Sequence, residues 1–401
     1  MSAMRHPLPR WMSLHRWLGV GLGLWFVLVG LSGALLVWRD TVDAWLNPQW
    51  LRAQADGPAL PIARVVEIAQ GSHALGRIER VRPPAAAGEV YRLQVRSSRS
   101  RVEAGRIEAF IDPANGALLG VRSLESRSLS RADAMRLLYD FHRNILLGEP
   151  GSNFVGIAGF LLMASALSGA VLAWPRSREH LRRLLDVRWR ANVTRLLFDL
   201  HRCTGVLIGV VLLLSTATGA TLVYLNHVRD LVSQLSRVEP IPVLPFRASA
   251  GGQGWLPLEE LVQRVEQGFP QRTVRELRFS ERGLTGMQFY LRAAGDEHRD
   301  GDTIVWVHPV SGELLAERSD RSRSAGEAFM HWLLPLHVGS AFGTPGLVMM
   351  ALAGVAPLLL AASGTWVHWR KRPGERLARQ REAGRLGGLQ ASARGDRQRD
   401  P

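Results

Sequence analysis

His15-Arg16-Trp17-Leu18-Gly19-Val20, close to the start of the sequence, returns as His201-Arg202-Cys203-Thr204-Gly205-Val206 at its middle. The same offset of 186 pairs Gly23 with Gly209, Gly33 with Gly219 and Trp38 with Tyr224. A second stretch repeats at an offset of 195 without a gap. It pairs His142 with His337, Gly148 with Gly343, Pro150-Gly151 with Pro345-Gly346, Gly159 with Gly354, Ser168-Gly169 with Ser363-Gly364, and Trp174 with Trp369. Agreement of this length and order is not chance, and it divides the chain into two halves of one design.

Each half contains two segments without a charged residue, at 17–38, 152–174, 203–225 and 346–369. Twenty-two residues of helix rise about 33 Å, enough for a hydrocarbon layer of about 30 Å. A cleaved signal peptide does not suit the first segment, because its apolar run is too long and Leu31-Ser32-Gly33-Ala34 is a poor cleavage site. The expected fold is an α-helical membrane protein with four transmembrane helices. Each half reads helix, outside loop, helix in one orientation, so the halves are expected to be related by a pseudo-twofold along the membrane normal.

Charge sets the orientation. Residues 1–16, 175–202 and 370–401 hold 21 Lys+Arg against 7 acidic residues, whereas 39–151 and 226–345 hold 29 against 28. Nearly all of the formal net charge of +15 therefore lies on one face. The positive-inside rule makes that face cytoplasmic, with both termini there, in a multi-pass protein of the bacterial inner membrane. The basic excess reads as an orientation signal and a contact with lipid headgroups, and a nucleic-acid partner is set aside. With Cys203 as the one cysteine, an intramolecular disulfide, a Cys-ligated cluster and covalent CxxCH haem attachment are excluded. Any metal has to be held by His or carboxylate.

The outside loops repeat as well. In the first, 60–69 reads as a short helix, 90–95 as an alternating strand and 110–119 as strand, tight turn and strand; the second gives 256–265, 287–291 and 307–315 in the same order. Each loop is thus expected to hold a small periplasmic α+β module, flanked by the Pro- and Gly-rich stretches 58–61 and 240–254. Such a module is too small for a large core of its own and should pack on its twin or on the membrane part.

Three features in order carry a resemblance: the leading His15-Arg16-x-x-Gly19, the closing Asp112-Pro113-x-x-Gly116-x-x-x-Gly120, and Phe141-His142-Arg143 before a Gly-rich span. Over residues 10–373 the chain resembles the PepSY-associated transmembrane family, whose members include iron-regulated inner-membrane proteins and periplasmic siderophore reductases. The resemblance implies a membrane-embedded b-type haem protein that passes electrons toward ferric siderophores outside, with PepSY-like modules. Two positions depart from the pattern. His308 replaces the expected Asp in the second module, and Val338 stands where Arg143 does in the first half.

The histidines can be weighed on their own. His15 and His201 begin the first and third helices at the cytoplasmic boundary, where the repeat would set them opposite each other at one depth. Bis-histidine ligation needs two neutral imidazoles from different helices, each held in one tautomer by a further partner. Gly19, Gly23, Gly205 and Gly209 leave room for a flat macrocycle, or equally allow close helix packing. Arg16 and Arg202, with Arg143 in the first half, suit propionate carboxylates, or anchor the helix ends by their charge. His142 follows Met135 and Leu138 on the apolar stripe of a short helix, as His337 follows Met330 and Leu333, and both helices stop at Gly-x-Pro-Gly. These two could hold a second haem, or be buried imidazoles satisfied by carbonyl groups. His368 and His331 are second-rank candidates for haem iron, with Ala173 and Arg136 at their equivalents. His6, His73, His180, His227 and His298 read as solvated surface.

Neither a GxGxxG nucleotide fingerprint after a strand nor a Ser/His/Asp, HExxH or P-loop arrangement is present. The expectation is a haem-dependent ferric-chelate reductase using two non-covalent b haems, fed by a cytoplasmic partner or a quinol. The competing class is a non-catalytic membrane protein whose modules bind a periplasmic ligand or partner, as an anchor or sensor.

Overall fold

A computed structural model describes residues 8–71, 75–96, 105–175, 177–238, 254–279, 286–296, 298, 300–319 and 323–397. The readings of His6, His73 and residues 240–253 fall outside these. In chain order the first half runs α1 (Leu8–Leu36), α2 (Arg39–Leu46), α3 (Pro48–Leu51), α4 (Ile62–Gly71), β1 (Arg77–Arg82), β2 (Tyr91–Arg96), β3 (Arg106–Ile111), β4 (Leu118–Ser123), α5 (Ala134–Asn144) and α6 (Glu149–Ala173). After α7 (Arg178–Arg183), the second half runs α8 (Val193–Val223), α9 (Leu225–Leu235), α10 (Leu258–Gly268), β5 (Thr273–Arg278), β6 (Met287–Arg292), β7 (Thr303–Val307), β8 (Leu314–Arg318), α11 (Ala325–Val338) and α12 (Gly343–Arg397).

Four helical stretches are long and apolar enough to cross a membrane: Arg10–Leu36, Glu149–Ala173, Val193–Val223 and Ser340–Arg370. They cover nearly all of each charge-free segment and begin before it, since a helix continues through Arg16 or Arg202 while the long side chain reaches for a polar environment. Large apolar side chains also cover the outsides of these helices, as at Leu24 and Val210, both 74% exposed. That is the pattern of helices surrounded by hydrocarbon.

The chain divides into two compact units. The first comprises the described residues of Met1–Leu31, Ala158–Ala217 and Leu352–Pro401. Here α1 and α12 approach so closely that a Cβ on Gly30 would lie 2.4 Å from the carbonyl oxygen of Gly354. No side chain fits there, which accounts for small residues at this crossing.

The second unit, Ser32–Ile157 and Thr218–Ala351, holds one antiparallel sheet of eight strands in the order β4-β3-β2-β1-β5-β6-β7-β8. Each module supplies four strands, and the modules join where β1 pairs with β5 through Arg80↔Arg278 and Val81↔Leu277. Strict alternation buries Tyr91, Leu93 and Val95 of β2 and Met287, Phe289 and Leu291 of β6. With Val65 and Ala69 of α4 and Leu261 and Val265 of α10 they form a single core shared by both modules. The size problem of each module is solved by its twin. On the opposite face the Glu276 carboxylate, fully buried, is paired with Arg80 at 3.2 Å and also with Arg82 and Arg278, while Arg82 reaches Asp300 at 2.8 Å.

Expected helices and strands appear within a few residues of their expected places, but the two joining strands, β1 and β5, were not foreseen. Each carries an irregularity, between Ile78 and Arg80 and between Val274 and Glu276. A bulge of this kind spaces the inward residues Ile78 and Val81, and likewise Val274 and Leu277, by three rather than two, which erases the alternation that marks a strand.

Candidate functional site

Four histidines meet in two pairs. The His15 and His201 ring centroids lie 6.0 Å apart with planes at 84°, and those of His142 and His337 lie 6.3 Å apart at 44°. The first pair belongs to the first unit and the second to the other.

Each ring is oriented by a Ser/Thr-Gly step on a neighbouring helix. His15 Nδ1 donates to the carbonyl oxygen of Ser165 at 3.0 Å and lies 3.1 Å from Ser168 Oγ, on α6. His201 Nδ1 donates to the carbonyl oxygen of Leu360 at 3.0 Å and lies 3.1 Å from Ser363 Oγ, on α12. A carbonyl oxygen can only accept, so in the neutral ring the proton is on Nδ1 and the Nε2 lone pair is the one available to a metal. His142 Nδ1 is 3.0 Å from Ser32 Oγ of α1, and His337 Nδ1 is 3.3 Å from Thr218 Oγ1 of α8.

The glycine beside each hydroxyl gives the ring its room. A Cβ on Gly169 would come within 3.1 Å of His15 Cε1, on Gly364 within 3.2 Å of His201, on Gly33 within 3.0 Å of His142 and on Gly219 within 2.8 Å of His337. These four contacts share one pattern. The hydroxyls were missed as orienting groups, although a readable signal existed: Ser32-Gly33, Ser168-Gly169, Thr218-Gly219 and Ser363-Gly364 put the same dipeptide type in every charge-free segment.

The spacing of both pairs fits two imidazoles sharing one metal ion, such as haem iron. Two imidazole nitrogens across one metal, each at the usual distance of about 2 Å, hold the ring centroids roughly 6 Å apart. Next to the first pair, a Cβ on Gly19 or Gly209 would meet nothing within 4 Å, and one on Gly205 only Leu360 Cδ2 at 3.9 Å. All three residues are half-buried, so they border space rather than cement helices. Gly23 differs, since its Cβ would meet Ala361 Cβ at 3.3 Å.

The arginines are less uniform. Arg202 is ion-paired to the buried Asp199 at 3.3 Å and donates to the carbonyl oxygens of Leu184 and Asp186 at 3.1 and 2.5 Å, so its guanidinium is largely committed within the protein. Arg16 sits 5.7 Å from the Trp17 ring centroid, and Arg143 is exposed in the last turn of α5. His368 is half-buried on α12. His331 is brought to His298 and Asp302. His180 and His227 are exposed, as expected. His298 corrects the surface reading: it is half-buried, with its ring centroid 4.4 Å from that of His331.

The departure at His308 has a simple account. In the first module Asp112 accepts backbone N–H groups from Gln54 at 2.7 Å, Ala55 at 3.0 Å and Ala114 at 3.0 Å. Burial alone would raise its pKa, but these bonds and one from Asn115 outweigh that and hold the carboxyl below its ordinary range. In the second module His308 Nδ1 accepts from Val310 and Ser311 at 3.2 and 3.1 Å. An uncharged acceptor does the same work in the turn.

A sequence profile described as PepSY-associated TM region matches residues 12–372, nearly the whole chain. No curated protein matches it.

Proposed function

Because the chain belongs to the PepSY-associated TM region family, we propose that it is an inner-membrane b-type haem protein that moves electrons across the membrane to periplasmic ferric siderophores or other ferric chelates, for iron uptake. The observation that carries this is the recurrence of one ring-holding arrangement at four places, with the rings grouped in pairs 6.0 and 6.3 Å apart. A structural histidine needs a partner for its polar atoms; it does not need a second imidazole at metal-sharing distance and the same Ser/Thr-Gly support each time.

In this reading His15 and His201 hold one haem and His142 and His337 a second. Haem b, when bound, supplies one-electron transfer at a potential set by its axial ligands, burial and nearby charge. Ser168 and Ser363, with the carbonyl groups of Ser165 and Leu360, keep two of the imidazoles in the ligating tautomer. Ser32 and Thr218 orient the other two. Arg16 and Arg143 are the arginines that would meet propionates, and Arg202 contributes chiefly by bracing Asp199. The excess of cations on 1–16, 175–202 and 370–401 supports a cytoplasmic side for those segments and a periplasmic one for the sheet. A ferric chelate is too bulky for a helical bundle, so it is reduced at the periplasmic surface, and electrons arrive from a cytoplasmic partner or a quinol.

The test is the absorbance of the purified full chain, oxidised and reduced, with extracted haem counted per chain. A Soret band that shifts on reduction and two haems are expected. Dithionite-reduced protein should then return to its oxidised spectrum with a ferric hydroxamate while a ferrous trap develops colour. A colourless protein would move the reading to an anchor or sensor whose modules bind a periplasmic ligand.

A further inference from the structure

The connection from β6 to β7 brings His298 and Asp302 against His331 of α11, and one ligand atom from each lies within 4.8 Å of the other two. From this we propose that His298, Asp302 and His331 form a binding site for a first-row divalent metal ion, zinc being the ion that fits best, which clamps the β6–β7 connection to α11.

The donor set is specific. His298 Nε2 donates to the carbonyl oxygen of His331 at 3.1 Å, which leaves Nδ1 as its ligating nitrogen. His331 Nε2 stands 3.6 Å from Asp302 Oδ1. That is long for a hydrogen bond but close to the spacing of two ligands that each sit about 2.0–2.2 Å from one tetrahedral ion. The Asp302 side chain is fully buried and His331 nearly so. The backbone N–H of His298 donates to Asp302 Oδ1 at 3.1 Å and that of Asp302 to Asp296 Oδ2 at 3.0 Å, which ties His298 and Asp302 together. Two imidazoles and one carboxylate suit zinc and its neighbours, whereas calcium and magnesium prefer oxygen alone. Three protein ligands leave a position for water or an exogenous group.

The first half shows what this position does without a metal. At the equivalent of His331 stands Arg136, paired with Asp140 at 3.3 Å and Asp133 at 3.8 Å. One repeat thus supplies a permanent cation at this helix position. The other supplies an imidazole beside a buried carboxylate, a pair of metal-ligating groups at the same position. α11 also carries His337, six residues on, so the clamp would steady the helix that presents it.

The test uses the full chain in detergent, stripped with a chelator and dialysed against Zn2+, with zinc counted per chain. Wild type should bind one zinc that His298→Gln, Asp302→Asn and His331→Gln each weaken at least about tenfold, while the His142→Ala/His337→Ala chain keeps it. A positive signal guards against misfolded variants: with Co2+, His331→Cys should gain a thiolate-to-cobalt charge-transfer band that wild type lacks. Zinc binding unchanged in all three ligand variants, or lost only when His142 and His337 are removed, would overturn the assignment, as would a Co2+-loaded His331→Cys chain without the band.

Discussion

The two histidine pairs are built to one plan but with different clearance. In the first, a Cβ on the neighbouring glycine would come within 3.1 Å of His15 and 3.2 Å of His201. In the second, it would come within 3.0 Å of His142 and 2.8 Å of His337. The hydroxyls differ too, since two serines serve the first pair and a serine and a threonine the second. The second pair is therefore the more tightly confined, and added volume beside it has less room to be absorbed.

The largest effect follows from removing a ring. His15→Ala or His201→Ala should lose one haem of two and spare the other, and His142→Ala or His337→Ala should do the converse, as read by haem per chain and reduced-minus-oxidised spectra. If His15→Ala and His201→Ala both kept two low-spin haems, the pairing would fail and His368 would become the leading substitute.

Next come the glycines. Gly219→Ala should disturb its pair more than Gly169→Ala, because the added methyl would meet His337 at 2.8 Å in one case and His15 at 3.1 Å in the other. Forced overlap of this kind costs about 1–3 kcal/mol, and it should appear as lower haem retention in Gly219→Ala. Equal retention in the two variants would remove the distinction.

The hydroxyls test each pair separately. Losing a group that orients a metal-bound imidazole typically weakens binding about 10–100-fold. Ser32→Ala should loosen only the haem of the second pair and Ser168→Ala only that of the first, measured as haem release to an acceptor protein. Release unchanged in both variants would show that the hydroxyls set neither site.

A contrast between substitutes, smaller in effect, separates the modules at Asp112 and His308. With its folded pKa held below the ordinary 3.8, Asp112 stabilises the fold fully above that value and loses its contribution as pH falls through the lower folded pKa. Asp112→Asn should cost about 2 kcal/mol at neutral pH, the scale of a charged hydrogen bond, and should flatten the loss of sheet stability in acid, followed by hydrogen exchange in β3 and β4. An Asn variant as acid-sensitive as wild type would show that Asp112 is not the source of that sensitivity.

Periodicity and repetition settled much of this before any geometry. The charge-free segments could only be apolar helices, since nothing else of that length satisfies its own backbone. The offsets of 186 and 195 already matched His15 to His201 and His142 to His337. The alternation in β2 and β6 was equally legible. Asp112 and His308 showed as a mismatch in the repeat, though not as two acceptors serving one turn.

What remained belongs to contacts between residues far apart in sequence. The sheet continues from one module into the other through β1 and β5, whose bulges remove the pattern that would have announced them. Ser168 lies 153 residues from the ring it orients, and Asp302 lies beside a helix that starts more than twenty residues later. His298 reads as a solvated residue in its own polar surroundings, and only the folding of the β6–β7 connection onto α11 makes it part of a cluster. Sequence specifies which residues repeat and which surfaces are apolar, because those follow from composition and period along the chain. The choice of neighbour for each imidazole is made by packing, because a hydrogen bond or a shared metal depends on distance through space.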